Sequence, residues 1–204
     1  PDRGRSYAGV LMSLALLGFF LVTGPGSSHS PWFRVGSSLA GAVQEGQLWR
    51  AVTALTLHAD IGHVVGNAIA AVIFVSATAR WLGPGLAVLA VLAAGFLGNV
   101  ATALLTVAGH NSIGASTATF GALGVLGGLQ LRRRFLRVDP VRGRWARVVP
   151  IVAACIGIFA MTGVGDPSNG GSRTDVIAHV TGLGFGFLTG LAAAFLTRSW
   201  PVPR

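Results

Sequence analysis

Apolar stretches of about 17–25 residues, the length needed to cross a lipid hydrocarbon core, recur along this 204-residue chain. Only 10% of its residues are charged and 52% are hydrophobic, with a mean hydropathy of +0.68. Ordinary soluble domains carry roughly 25% charged residues. Six spanning segments are expected: Tyr7–Thr23, Ile61–Trp81, Gly85–Val107, Gly114–Leu131, Val148–Met161 and Val176–Leu196. The fifth is short for a span and is expected to be extended or tilted. In lipid the backbone polar groups must be satisfied within the segment, which favours helices. The alternating pattern of a membrane barrel is absent. The expected fold class is an all-α polytopic membrane protein, a six-helix bundle filling residues 1–204 as one domain.

The net charge of +9 rests entirely on arginine, since the chain has fifteen Arg and no Lys. Seven of them, Arg132, Arg133, Arg134, Arg137, Arg142, Arg144 and Arg147, fall in one connection between apolar segments. That is the pattern of a cytoplasmic loop facing anionic lipid headgroups. No nucleic-acid-binding motif accompanies it, so nucleic acid is not an expected partner. With the N-terminus inside, Arg3, Arg5, Arg80, Arg198 and Arg204 join the cytoplasmic side, leaving only Arg34, Arg50 and Arg173 outside. Both termini are therefore expected to be cytoplasmic. The first apolar segment is expected to be retained as a helix, because a small-residue cleavage site is not evident.

Two external connections stand out. Gly24 to Leu57 is rich in Gly, Ser and Pro and carries Trp32, Phe33, Leu48 and Trp49, anchors suited to the headgroup region. Thr162 to Thr174, with four glycines, has the composition of a lid. The lone Cys155 excludes an internal disulfide and is expected to pack as a small hydrophobe. His29 and His110 read as solvated loop residues. Asp166 and Asp175 flank the glycine-rich loop, and nothing in the sequence places either beside His179. Asp60 is expected to cap the second segment, and Asn99 to bond a neighbouring helix.

The polar residues inside the spans carry the chemistry, because a polar side chain in lipid is costly and usually functional. In the sixth segment His179, Gly182, Gly186 and Gly190 follow at steps of three, four and four, on one helical face. In the fourth, Ser116, Phe120, Gly124 and Gly128 are four apart. Small faces of this kind let helices approach closely. If the two meet, Ser116 and His179 come together at one end, as nucleophile and base. The second segment adds His63 and Asn67 on one face, with His58 just before it. These donors suit the oxyanion formed when a serine attacks a carbonyl. A metal site is the rival reading of the histidines, but the Glu of the His-Glu-x-x-His pattern is missing. Gly114-Ala115-Ser116-Thr117-Ala118 nearly matches a hydrolase elbow, which requires a preceding strand that this chain lacks.

Together these stretches resemble the rhomboid family of intramembrane serine proteases. They are His58-Ala-Asp-Ile-Gly-His63-Val-Val-Gly-Asn67, Gly114-Ala-Ser116, Ala178-His179-Val-Thr-Gly182-Leu-Gly-Phe-Gly186, and Trp49-Arg50 in the first external loop. The resemblance covers nearly the whole chain, in the family's order. It implies a minimal six-helix bacterial form in the cell membrane, cleaving transmembrane protein substrates near the external face without cofactor or metal. Ser116 resembles the nucleophile and His179 the base. His63, Asn67 and the Ser116 N–H resemble the oxyanion hole, with His58 in a supporting place. Phe120 stands where an aromatic packs on the histidine, and Gly182 and Gly186 resemble the close-packing glycines. The family's usual Gly-x-Ser-Gly ends here in Thr117, a β-branched residue expected to narrow substrate access or alter the turn. The alternative expectation is a rhomboid-like pseudoprotease that binds membrane segments without cutting. A small transporter is a third reading, but intramembrane carboxylates and matching interrupted helices are missing.

Overall fold

Capping chemistry sets where the long helices begin and end. The computed structural model describes residues 6–28, 30–136 and 175–196. Helix α1 spans Ala8–Thr23 and stops at Gly24. Before α5 (Ile61–Leu82), the Asp60 side chain accepts from the His63 N–H at 2.8 Å, the cap its position predicts. Gly83 ends α5 at a φ of +81°, and Pro84 opens α6 (Pro84–Leu105), so the two helices are joined by a Gly-Pro step. Helix α6 stops two residues short of the expected Val107. Gln44 explains this, because its Nε2 donates to the carbonyls of Ala103 (2.7 Å) and Thr106 (3.4 Å), groups a helix end leaves unpaired. Helices α7 (Ser116–Leu136) and α8 (Val176–Leu196) complete the long elements.

The described residues thus supply five of the six expected helices. The segment 148–161, Cys155, the glycine-rich connection 162–174, and Arg137, Arg142, Arg144 and Arg147 lie outside them, as do His29 and Asp166. Four stretches, Ala8–Ser28, Ile61–Leu82, Pro84–Leu105 and Val176–Leu196, are long and apolar enough to cross a membrane.

The connection between α1 and α5 is not the plain loop that its Gly, Ser and Pro content suggests. It contains α2 (Pro31–Gly36), β1 (Ser38–Leu39), α3 (Ala40–Gln44) and α4 (Arg50–Thr53). Strand β1 pairs antiparallel with β2 (Asn111–Ser112), with Ser38 opposite Ser112. Side-chain bonds to backbone stitch this layer together. Arg50 donates to the Gln47 side chain and to the carbonyls of Arg34 and Ser37, while Thr53 donates to Gly36. Asn99 of α6 reaches up to the Ala51 carbonyl at 2.9 Å, the interhelical bond expected of it. Trp32, Leu48 and Trp49 are exposed on the layer's surface.

The distribution of side-chain sizes is that of a membrane bundle. Large apolar residues point outward, among them Ile69, Ile73, Leu89, Leu104, Leu188 and Phe195. The interior is rich in small and polar residues, with Ala71, Ala87, Ala94, Ala122, Thr78, Asn99 and Thr102 all at most 1% exposed, interleaved with buried Val75, Leu82, Val91 and Leu129. Lipid offers no driving force to bury Leu, so helices associate through close backbone approach and interhelical hydrogen bonds. Ser13 of α1 donates to the Ala68 carbonyl of α5, and the Thr102 and Thr181 hydroxyls link α6 to α8 at 2.8 Å.

Candidate active site

Ser116 is the first residue of α7, and the left-handed backbone of Gly114 keeps that residue out of the helix. The N–H groups before the helix find partners outside it, Gly114 at the Ala54 carbonyl (2.9 Å) and Ala115 at His58 Nε2 (3.3 Å). Gly114 turns the chain at a φ of +110°, a conformation disfavoured for any residue with a Cβ. His58 is fully buried, with Nδ1 3.3 Å from the Thr56 carbonyl. Its proton therefore sits on Nδ1, and Nε2 acts as acceptor. Burial pushes the His58 imidazole down to about 4, the neighbouring His63 adds to this, and the Thr56 carbonyl and Asp60 offset it only in part. A neutral His58 is what the Ala115 contact needs.

His63 and Asn67, one turn apart on α5, press against the same turn. A Cβ at Gly114 would lie 2.6 Å from His63 Nε2 and 3.6 Å from Asn67 Nδ2. His63 Nδ1 accepts the Ala59 N–H at 3.4 Å, which leaves the ring proton on Nε2, the atom facing Gly114. The Asn67 amide nitrogen is buried and has no hydrogen-bond partner among the described residues. Two side-chain donors thus converge two residues before Ser116, whose own N–H belongs to the first helical turn, at the positive end of the helix dipole.

His179 lies in the first turn of α8, on the side that packs against α7. Its ring stacks on Phe120, with centroids 4.3 Å apart and planes at 17°. Phe120 lies one turn beyond Ser116 on the same face of α7. The glycines expected at this contact are there. A Cβ on Gly182 would strike the Thr117 carbonyl, one on Gly186 the Gly121 carbonyl, and one on Gly190 the Val125 carbonyl. From the other side, Gly124 and Gly128 meet the Leu183 and Phe187 carbonyls in the same way. Gly121, which the sequence pattern did not single out, belongs to the same seam.

Thr117 is buried among the helices. It is 2% exposed, and its methyl group fills the junction of α6, α7 and α8. A Cβ at Gly98 would lie 2.7 Å from that methyl, and one at Gly182 would lie 3.0 Å from it. The side chain is directed into the helix junction, and glycines on both neighbouring helices make room for it. Trp49 and Arg50 are exposed and half-buried members of the α2–α4 layer, and the Arg50 hydrogen bonds go to Gln47, Arg34 and Ser37 within it.

Sequence reasoning missed one cluster. Asp175 caps α8, its Oδ1 accepting the Ala178 N–H at 3.0 Å, and its Oδ2 pairs with His110 Nε2 at 2.8 Å and with the Ser112 hydroxyl. Far from being a solvated loop residue, His110 is tied to the helix that carries His179. An Asp immediately before an apolar helical run was a readable capping signal. Its pairing with residues more than sixty positions away was not.

An apolar cavity of about 1170 Å³ opens between α1, α6 and the α5–α6 turn, touching Ala115 and Ala118. Ser116, His63, Asn67 and His179 do not line it, so it is separate from the convergence just described. Among the described residues, no group of three or more His, Cys, Asp or Glu is gathered as a metal-ligand set.

Comparison with known proteins agrees with the motifs. The family model described as "Rhomboid domain" matches residues 45–195. Rhomboid protease GluP of Bacillus subtilis (strain 168) is 29% identical over 188 residues, which cover 90% of this chain and 34% of that protein. Rhomboid-like protease 2 of Toxoplasma gondii is 24% identical over 156 residues, covering 76% of this chain and 51% of its own length. The matched regions thus span about a third and about half of these two relatives.

Proposed function

The chain belongs to the rhomboid family, and on that premise we propose that it is an intramembrane serine endopeptidase working through a Ser116–His179 dyad. It is an integral, multi-pass membrane protein. In this reading it cleaves transmembrane protein substrates near the external face of a bacterial cell membrane, with both termini cytoplasmic. The observation that carries the proposal is convergence on one turn. The His179 ring stacks on Phe120, four residues after Ser116 on α7, and His63 and Asn67 crowd Gly114, two residues before it.

The chemistry follows from those positions. His179 takes the proton of Ser116 Oγ as the oxygen attacks the scissile carbonyl. The Asn67 amide, the His63 Nε2–H and the Ser116 N–H hold the oxyanion, each such donor being worth about 3–4 kcal/mol in comparable enzymes. His179 returns the proton to the leaving amine, then activates the water that releases the acyl-enzyme. The positive end of α7 favours both the ionising nucleophile and the oxyanion. The Thr117 side chain is buried in the helix junction, which supports this reading over a non-cutting relative.

A fluorophosphonate probe tests the dyad directly. The purified protein should acquire the adduct on Ser116, and Ser116→Ala should abolish it. Failure of the unaltered protein to react would favour the pseudoprotease, and equal reaction of Ser116→Ala would overturn the assignment.

A further inference from the structure

We propose that Asp175, His110 and Ser112 form a clasp that positions the dyad by locking together the starts of its two helices. The proposal rests on the reading of Ser116 and His179 as nucleophile and base. Each of those residues lies four positions after a member of the cluster: Ser112 precedes Ser116, and Asp175 precedes His179. Asp175 Oδ1 accepts the Ala178 N–H, its backbone carbonyl accepts the His179 N–H at 3.1 Å, and its Oδ2 receives both His110 Nε2 and the Ser112 hydroxyl. Ser112 Oγ also lies 3.2 Å from His110 Nε2, so the three groups share one hydrogen-bonded triangle.

The triangle is anchored away from the lipid-facing helices. Ser112 sits opposite Ser38 in the β1–β2 pair, and the His110 carbonyl accepts the Ala40 N–H at 2.8 Å. Asp175 therefore fixes the first turn of α8 to the same short sheet that feeds the Gly114–Ser116 turn. The glycine seam lets α7 and α8 lie close, but backbone contact alone leaves two helices able to slide along each other. A polar tie at the head of the seam sets their register, where a displacement of about 1 Å can cost roughly 100-fold in rate. A carboxylate at the N-terminus of α8 also complements its dipole. The side chains of His110 and Asp175 are 28% and 15% exposed, so water competes only in part for the pair.

Four variants separate positioning from folding: Asp175→Ala, Asp175→Asn, His110→Gln and Ser112→Ala. Asp175→Asn keeps an N-cap acceptor and removes the charge, so it isolates the clasp from the cap. Relative to the unaltered protein, Asp175→Ala should slow fluorophosphonate labelling of Ser116 at least tenfold, and each of the other three several-fold. In cleavage of a transmembrane substrate, kcat should fall while KM stays within about twofold, the mark of a disturbed reaction geometry rather than weaker binding. The Asp175→Asn/His110→Gln double variant should be no slower than its slower parent. Ser13→Ala, which loosens α1 from α5 far from the site, should lower the melting temperature without changing the labelling rate. Wild-type labelling rates in Asp175→Asn, His110→Gln and Ser112→Ala would overturn the clasp, as would a double variant whose losses multiply. An unaltered protein that does not label at all defeats the dyad first, an outcome distinct from a clasp that fails in a reactive enzyme.

Discussion

His58 shows how a single residue outside the proposed dyad holds the turn that precedes Ser116. Its Nε2 accepts the Ala115 N–H only when unprotonated, and burial holds its pKa near 4 against an ordinary 6.5. As pH falls through 6.5 the unfolded chain protonates this ring while the folded protein resists, so the unfolded state binds more protons. The stabilisation is complete above about 6.5 and is lost progressively down to about 4. The melting temperature in detergent should therefore drop across that window, and less steeply in His58→Gln; equal slopes in the two proteins would contradict the assignment. Thr117 gives a second prediction at this scale. Because its methyl fills the α6–α7–α8 junction, Thr117→Gly should destabilise by about 1–2 kcal/mol, through lost packing and added helix flexibility. It should not accelerate labelling of Ser116. A several-fold acceleration would mean that Thr117 obstructs the site after all.

Among the elements, the α7–α8 pair decides whether the site exists. Its seam was legible in the sequence because helical periodicity turns spacings of three and four into a face, and Gly182, Gly186, Gly190, Gly124 and Gly128 all lie on it. What periodicity could not convey were pairings without local spacing. The β1–β2 contact joins two-residue strands more than seventy positions apart, and the His110–Asp175 bond crosses 65 residues. Nor could it reveal that Thr117 points into glycine-lined space, since that space belongs to two other helices. The seam itself is testable. A side chain at Gly186 would collide with the Gly121 carbonyl, so Gly186→Val should force the helices apart and lower labelling of Ser116 by at least tenfold. Gly184, whose Cβ would meet nothing within 4 Å, should accept valine with little change in labelling. Equal behaviour of the two variants would show that close approach is not what brings the dyad together.

At the scale of the whole molecule, the fold solves two problems with the same residues. Lipid rewards neither buried leucines nor loose polar groups, so the bundle turns its large apolar side chains outward and joins its helices through glycine, alanine, serine and threonine. Those small faces leave a polar turn at the start of α7, tied to the residue after α4 by the Gly114 N–H to Ala54 carbonyl bond, where the proposed reaction would find its donors. Composition and charge made the membrane bundle legible, and the rhomboid motifs made its site legible; the short elements of the first external connection were hidden in a stretch that reads as loop. The most direct test is cleavage of a model transmembrane substrate by the full chain reconstituted in lipid vesicles. A Ser116–His179 dyad predicts two fragments from the unaltered protein, and none above background from Ser116→Ala or His179→Ala. Cleavage that persists in either variant, or its absence from all three proteins, would contradict the account.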